Sequence, residues 1–540
     1  MGVFRRAFLS EKQPQAASPS ARLFFSHIRL TLGKGLWLLL CLLLTVCLFK
    51  FSYPSVSISL LAWLAFAPFI MGLLLLGSFW RSFWYGWATG ICVYGALYYW
   101  VFVTCHNGGG METGLSVAAW LGLSGLMALQ FAIFGGSCYY LKNLQGFFPF
   151  VAACGWVALE WLHEILATYF IGFPWFSLAY SQWNALPFLQ LAAIGGASSL
   201  SFVIAFTGIS TGYGLMAQRV RQAVGQFLIA AAVLLSVFFY GKIYLKQVHE
   251  SSLLRLSVAV MQPDIDQYKK WDEQFELEIW DTMDIMARQA ALQKPVLLVW
   301  PENMTPGPAQ EKPYLDWITH IGQQTDSWQI VGSTHAEKDK QYVSAVLFSP
   351  AGQEKGIYDK VHLVPFGEFI PLENIVRSLF SNIEVLGELG FFTAGVWEQP
   401  LLQLNQISLG STICYESLFS HLWRQQTRAG AHLFLNLTND AWFFDTDAPY
   451  QHLAAVVLRA VENRRTVLRA ANTGISAVIA PTGEIVARAE LNTRAVLVAD
   501  MALPLGKRLS FYSQWGPWFA ELCVLVFMTS MLSVLILSRE

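Results

Sequence analysis

Charge is scarce in this 540-residue chain: Asp, Glu, Lys and Arg make up 13% of it, while 55% is hydrophobic. Soluble domains carry about 25% charge, so this balance excludes an ordinary soluble protein over the whole length. The formal net charge is −1 and no basic stripe runs through the sequence, which argues against a nucleic-acid partner. Internal repeats and low-complexity stretches are missing as well. Cysteine is short where crosslinking would need it. Cys41, Cys47, Cys92, Cys105, Cys138, Cys154 and Cys523 fall in or beside apolar runs, leaving Cys414 alone in the polar region. That region therefore holds no internal disulfide, and its one thiol is either a small core residue or a reactive group. No metal-ligand cluster is present, and neither metal nor cofactor is expected.

What the chain does have is long apolar runs. Crossing ~30 Å of hydrocarbon takes about 20 residues. Such runs lie near 35–49, 56–77, 82–104, 115–141, 149–169, 190–216 and 226–245, with another at 515–537. No small-residue cleavage site follows the first, which reads as an uncleaved anchor. Arg5, Arg6, Lys12, Arg22, Arg29, Lys34, Arg81, Lys142, Arg219, Arg221 and Arg539 fall on one side of this arrangement, and Lys50 alone among short loops on the other. The positive-inside rule then puts both termini in the cytoplasm and residues 246–513 outside.

The outer region alternates strands and helices. Leu253–Gln262, Val296–Trp300, Trp328–Ser333, Ser344–Ser349, Ile407–Ile413, His432–Thr438, Ser476–Ala480 and Ala495–Asp500 read as strands. Glu273–Gln293 and Pro449–Ala470 read as amphipathic helices, so the region is expected to be a layered α/β domain.

Three chemistry-bearing groups sit at strand ends. Glu302 follows Val-Trp-Pro, Lys360 lies in Tyr-Asp-Lys-Val-His-Leu, and Cys414 stands where an apolar strand gives way to Tyr415 and Glu416. A carboxylate that takes a thiol proton, a thiolate that attacks a carbonyl, and an ammonium with a backbone N–H that stabilises the oxyanion together perform acyl chemistry. Taken singly, each has a plainer reading: a surface carboxylate, a solvated lysine, a core cysteine.

The segments WPEN, YDKVHLVPFGE and ICYES, in that order, resemble the signature segments of the nitrilase, or carbon–nitrogen hydrolase, superfamily. Asn439-Asp440-Ala441-Trp442-Phe443, Gln451-His452, Arg459-Ala460, Asn472-Thr473-Gly474-Ile475-Ser476, Gly172-Phe173-Pro174-Trp175, Tyr180-Ser181-Gln182 and Lys270-Trp271 resemble apolipoprotein N-acyltransferases more narrowly. The resemblance covers roughly residues 35 to 537. It implies a bundle of about eight transmembrane helices plus an extracytoplasmic αββα sandwich. The implied domains are a cytoplasmic extension at 1–34, seven membrane helices at 35–249, a periplasmic catalytic domain at 250–510 and a last membrane helix at 511–540. The implied reaction moves an acyl chain from a membrane phospholipid, through a thioester, to the N-terminal amine of a diacylglyceryl-modified apolipoprotein, at a bacterial inner membrane. Glu302 is then general base, Lys360 the oxyanion stabiliser and Cys414 the nucleophile, with Trp271, Glu368, Tyr415 and Glu416 in support. Phe444 departs from a usual Gly, and Ala480 from a usual Asp.

Two competing readings use other observations. A membrane-tethered amidase would employ the same three residues with water as acceptor. A transporter or scaffold would use intramembrane charge, for which Glu160 and Glu164 are the main candidates. Finally, Gly387, Gly390 and Gly395 interrupt any long regular element in and just after the apolar run 379–392, which ends in Phe391-Phe392. That pattern predicts an arm reaching toward the membrane.

Overall fold

The computed structural model describes residues 20–170, 172–248, 253–266, 268–270, 273–305, 307–371, 392–504 and 508–537. Trp271, residues 1–19 of the N-terminal extension and almost all of the expected arm at 379–392 lie outside them.

Among the described residues, five helical stretches are long and apolar enough to cross a membrane, or six if the bent pair Phe79–Leu97 and Tyr99–Gly108 is one span. The first belongs to a helix starting at Ser20, inside the expected extension, and is set off by a break at Gly33, whose φ of 71° suits glycine. The 57-residue stretch Thr113–Tyr169 is too long for a single crossing. It breaks at Gln145 and doubles back, because Trp156 beyond the break packs edge-on against Phe131 and Phe134 before it. Ser59–Leu73 is a shorter apolar helix. Glu160 is fully engaged, accepting from Ser177, Ser201 and the Trp156 indole, and the Ser420 hydroxyl donates to Glu164. Both carboxylates tie helices together.

The described residues between 253 and 504 carry two six-stranded sheets. One contains β1 (Leu253–Gln262), β2 (Leu297–Val299), β3 (Trp328–Glu337), β4 (Lys340–Phe348), β5 (Glu354–Asp359) and β12 (Ala495–Pro504), in the order β12-β1-β2-β3-β4-β5. The other contains β6 (Leu402–Leu404), β7 (Ile407–Ile413), β8 (Leu433–Thr438), β9 (Thr466–Ala471), β10 (Ala477–Ile479) and β11 (Ile485–Arg488), in the order β11-β10-β9-β8-β7-β6. Each has three parallel strands at its centre, β1-β2-β3 and β7-β8-β9, and antiparallel neighbours outside. Side chains alternate as the pleat requires. Val258 and Val260 face the second sheet and join the core with Leu409, Leu435 and Leu437, while Ala259 and Met261 face Met283, Met286 and Ile318 on the helices Glu276–Ala291 and Tyr314–Thr325. The sandwich is thus αββα, as the resemblance implies.

The expected helix Pro449–Ala470 is shorter and of another kind. The helix is Ala448–Asn463, Arg464 turns left-handed at φ 52°, and Thr466–Ala471 is strand β9. β-Branched Thr466 and Val467 suit a strand. Nor is the helix amphipathic in effect: every residue but Tyr450 is buried, because the membrane helices cover its outer side. Gln451 accepts from the indoles of Trp100 (3.2 Å) and Trp175 (2.9 Å) and donates to the Leu97 carbonyl. Glu462 accepts from the Ala197 amide, and Arg464 donates to Gln190 while lying over the Tyr244 ring. This helix joins the two halves of the molecule.

Candidate active site

Three strand ends converge. Glu302 follows β2, Lys360 follows β5 at the edge of the same sheet, and Cys414 follows β7 of the facing sheet. Lys360 Nζ donates to Glu302 Oε1 at 3.0 Å and to Glu368 Oε1 at 2.6 Å, and all three side chains are largely shielded from solvent. The second oxygen of Glu302 accepts the Asn439 amide at 2.9 Å, and that of Glu368 accepts the Val364 amide at 2.8 Å. Both carboxylates are therefore fixed at each end. Lys270, also buried, donates to the Glu302 backbone carbonyl.

Burial opposes the charge on Lys360, but Glu302 and Glu368 overcome it and hold its pKa well above the ordinary lysine value. Burial raises Glu368, with Glu302 adding to the rise and Lys360 opposing it. Burial lowers Lys270 to about 8 against the pull of Glu302. The Cys414 thiol is pushed up, first by burial and then by Glu302, while Lys360 and Thr438 counter in part. The thiol is thus protonated at rest, and attack on a carbonyl requires a neighbouring base to remove its proton. Glu302 is the carboxylate whose charge this thiol feels most.

Cys414 opens a 3₁₀ turn, Cys414–Leu418, with φ +50°, a left-handed conformation uncommon outside glycine. Glu416 supports that turn. Its carboxyl accepts from the amides of Ile413, Val361 (2.5 Å) and His362 and from the Tyr358 hydroxyl, so it ties the Cys414 turn to the Lys360 segment. Burial pushes its pKa up to about 7 despite these donors. Tyr415 Oη donates to the Gly172 carbonyl in the membrane half. The Cys414 turn thereby rests directly on the irregular segment 172–177 between two apolar helices, against a cluster that includes Phe173, Trp175, Trp100 and Phe443.

Of the residues expected from sequence, the structure brings Glu302, Lys360, Glu368, Cys414, Tyr415 and Glu416 together. Sequence reasoning passed over a buried array behind Cys414. His452 Nε2 lies 3.0 Å from the Cys414 carbonyl and Nδ1 lies 2.9 Å from Asp440, which Arg469 holds at 2.7 Å. The signal for it was Arg469, a charge inside the apolar strand β9, where only a paired charge is stable. Phe444 adopts φ 50° and ψ −152°, a region that favours the glycine it replaces, and Ala480 begins a turn closed by the Gly483 amide. No group of three or more His, Cys, Asp or Glu residues able to hold a metal occurs among the described residues.

Two family descriptions match this chain: the apolipoprotein N-acyltransferase N-terminal domain over residues 35–210 and carbon-nitrogen hydrolase over residues 257–509. An apolipoprotein N-acyltransferase of Geobacter metallireducens is 35% identical over 88% of this chain and 91% of its own length. The chain belongs to the apolipoprotein N-acyltransferase family. Members from Pseudomonas putida and Methylococcus capsulatus are 29% and 30% identical, over 83% and 80% of this chain and 87% and 84% of theirs. Among solved structures, an amidase from Nesterenkonia sp. AN1 is similar at 22% identity, covering 49% of this chain and 98% of its own, with a TM-score of 0.37. Glu302, Lys360 and Cys414 all lie in the second matched region.

Proposed function

We propose that this enzyme transfers a fatty acyl chain from a phospholipid, through a thioester at Cys414, to the N-terminal amine of a diacylglyceryl-modified apolipoprotein. In the first half-reaction Glu302 takes the thiol proton and sulfur attacks the ester carbonyl. Lys360 stabilises the oxyanion, the ester C–O bond breaks, and the departing lysophospholipid oxygen receives the proton from Glu302. In the second half-reaction the acceptor amine attacks the thioester. Its proton passes to Glu302, the C–S bond breaks and the thiol is restored. The observation that carries this reading is the seating of the nucleophile turn on the membrane half through Tyr415 and Gly172. A phospholipid leaves the bilayer at ~0.8 kcal/mol per CH₂, so a site joined to membrane helices suits a lipid donor.

Eight membrane crossings, both termini in the cytoplasm and a periplasmic sandwich in a bacterial inner membrane agree with the Lys/Arg distribution of the short loops. The deciding experiment is the intact mass of the purified full-length protein after exposure to phosphatidylethanolamine vesicles without acceptor. An added acyl mass, lost in Cys414→Ala, supports the thioester, and an unchanged mass overturns it. With a diacylated lipopeptide supplied, N-acylated peptide supports the transferase. Free fatty acid alone would make the enzyme a membrane-tethered hydrolase.

A further inference from the structure

The array behind Cys414 lies outside the proposed chemistry, yet it touches the nucleophile's own backbone. His452 and Arg469 are fully buried and Asp440 is 1% exposed. Arg469 is anchored by Asn436 Oδ1 at 2.5 Å and the Ile475 carbonyl at 3.2 Å. Thr438 donates to Asp440 at 3.0 Å. Gly474 stands so near that a Cβ would lie 2.4 Å from Asp440 Oδ2, so only glycine admits the carboxylate there. Asp440 and Arg469 therefore fix the imidazole ring. A carbonyl oxygen only accepts, so Nε2 faces Cys414 as N–H, and Nδ1 of the neutral ring then accepts from Arg469 at 3.2 Å, the guanidinium being held in turn by Asp440.

The Cys414 carbonyl belongs to the same planar unit as the Tyr415 N–H, and in a trans peptide the two point in opposite directions. Whatever holds the carbonyl on one side aims the amide on the other. The first amides of a helical turn have no partner within it, so the turn opened by Cys414 offers this N–H to a ligand. Left-handed φ at a non-glycine residue persists only where its surroundings impose it.

We propose that His452, set by Asp440 and Arg469, is a positioning residue that clamps the Cys414 carbonyl and thereby aims the Tyr415 N–H at the oxyanion of the acyl-transfer step. The proposal rests on Cys414 being the nucleophile. It assigns the base and the ammonium no new part. The same short turn serves both sides of the site, since the Asn439 amide holds Glu302 and the adjoining Asp440 holds the Arg469 guanidinium that donates to His452.

The test separates two reactions of one thiol. Acylation by p-nitrophenyl butyrate passes through an oxyanion; alkylation by iodoacetamide does not. In the full-length protein, His452→Leu is expected to slow thioester formation ten- to a hundred-fold and leave alkylation of Cys414 within about threefold, since one oxyanion donor contributes about 10²–10³ in rate when lost outright. His452→Gln keeps an N–H near the Nε2 position and is expected to acylate within about tenfold of the parent. Equal loss of acylation and alkylation in the Leu variant, or acylation at the parent rate, overturns the proposal. If the Leu variant shows no thermal transition, the Gln variant decides by the same ratio: preserved acylation supports the clamp, and acylation falling in step with alkylation overturns it. Failure of the nucleophile assignment is recognised separately, because the parent protein would then form no adduct at Cys414 at all.

Discussion

Lys360 Nζ stands 3.0 Å from Glu302 Oε1, both side chains shielded from solvent and each also bonded elsewhere. The single ammonium bridges two carboxylates, Glu302 and Glu368, so removing it leaves both without their shared buried partner.

Cys414→Ala is expected to abolish both thioester and turnover. Glu302→Gln is expected to lower turnover by about 10²–10⁴, the usual reach of a general base. Lys360→Met removes the oxyanion partner and leaves Glu302 and Glu368 buried without a cation, which costs about 3–5 kcal/mol. Rates with a lipopeptide acceptor and melting curves read both effects. Near-parent turnover in any of the three would remove that residue from the mechanism.

Asp440 supplies a pH-dependent term. Burial disfavours its charge, but Arg469 and His452 outweigh burial and hold its pKa at about 2, below the ordinary 3.8. A folded-state pKa below the unfolded one adds stability that is present above pH 3.8 and is lost as pH falls through 2, about 2 kcal/mol in all. The Tm difference between parent and Asp440→Asn should therefore narrow as pH falls from about 4 toward 2. A constant difference across that range would show that Asp440 is not ionised in the native protein.

Phe444 occupies φ 50°, ψ −152° with a side chain that cannot be comfortable there. Phe444→Gly and Phe444→Ala both lose the ring, but only Gly relieves the backbone. The Gly variant should be the more stable of the two by about 1 kcal/mol. Equal Tm values would mean that the strain is relieved in some other way.

Gln451 is the one side chain bonded to Trp100, Trp175 and Leu97 together. Gln451→Leu strands two indole N–H groups and a carbonyl in the joint between the halves. Each unsatisfied buried group costs about 1–3 kcal/mol. The expected result is a lower Tm and faster proteolysis between residues 245 and 255, with Cys414 still alkylated in the intact fraction. Unchanged Tm would show that water enters the joint and replaces the amide.

For topology, alkaline phosphatase fused after Leu253 is expected to be active and a cytoplasm-only reporter at the same point silent. The reverse pattern would invert the orientation argued from the loop charges.

The three strand ends bearing Glu302, Lys360 and Cys414 were legible in the sequence, because each sits in a short motif whose neighbours carry the resemblance. β1 and β7 were legible to the residue, since their apolar, β-branched runs end in polar turns. β9 was not, and was merged into the preceding helix. An entirely buried helix followed by an entirely buried strand shows no polar face at which the period visibly changes from 3.6 to 2. Nor were β5, β6 and β11 read, being short or lying at sheet edges where burial is partial.

By itself the sequence determined the membrane character, the layered α/β class and the three motifs that hold Glu302, Lys360 and Cys414, because composition, periodicity and motif are local properties of the chain. Only the tertiary structure decided that Lys360 is shared between two carboxylates, that Glu416 splints the Lys360 and Cys414 segments, and that His452 stands behind Cys414. Apart from the Lys360–Glu368 contact, those relations join residues 38 to 58 positions apart. Such distances are closed by the stacking of two sheets and a buried helix, and no short-range pattern encodes them.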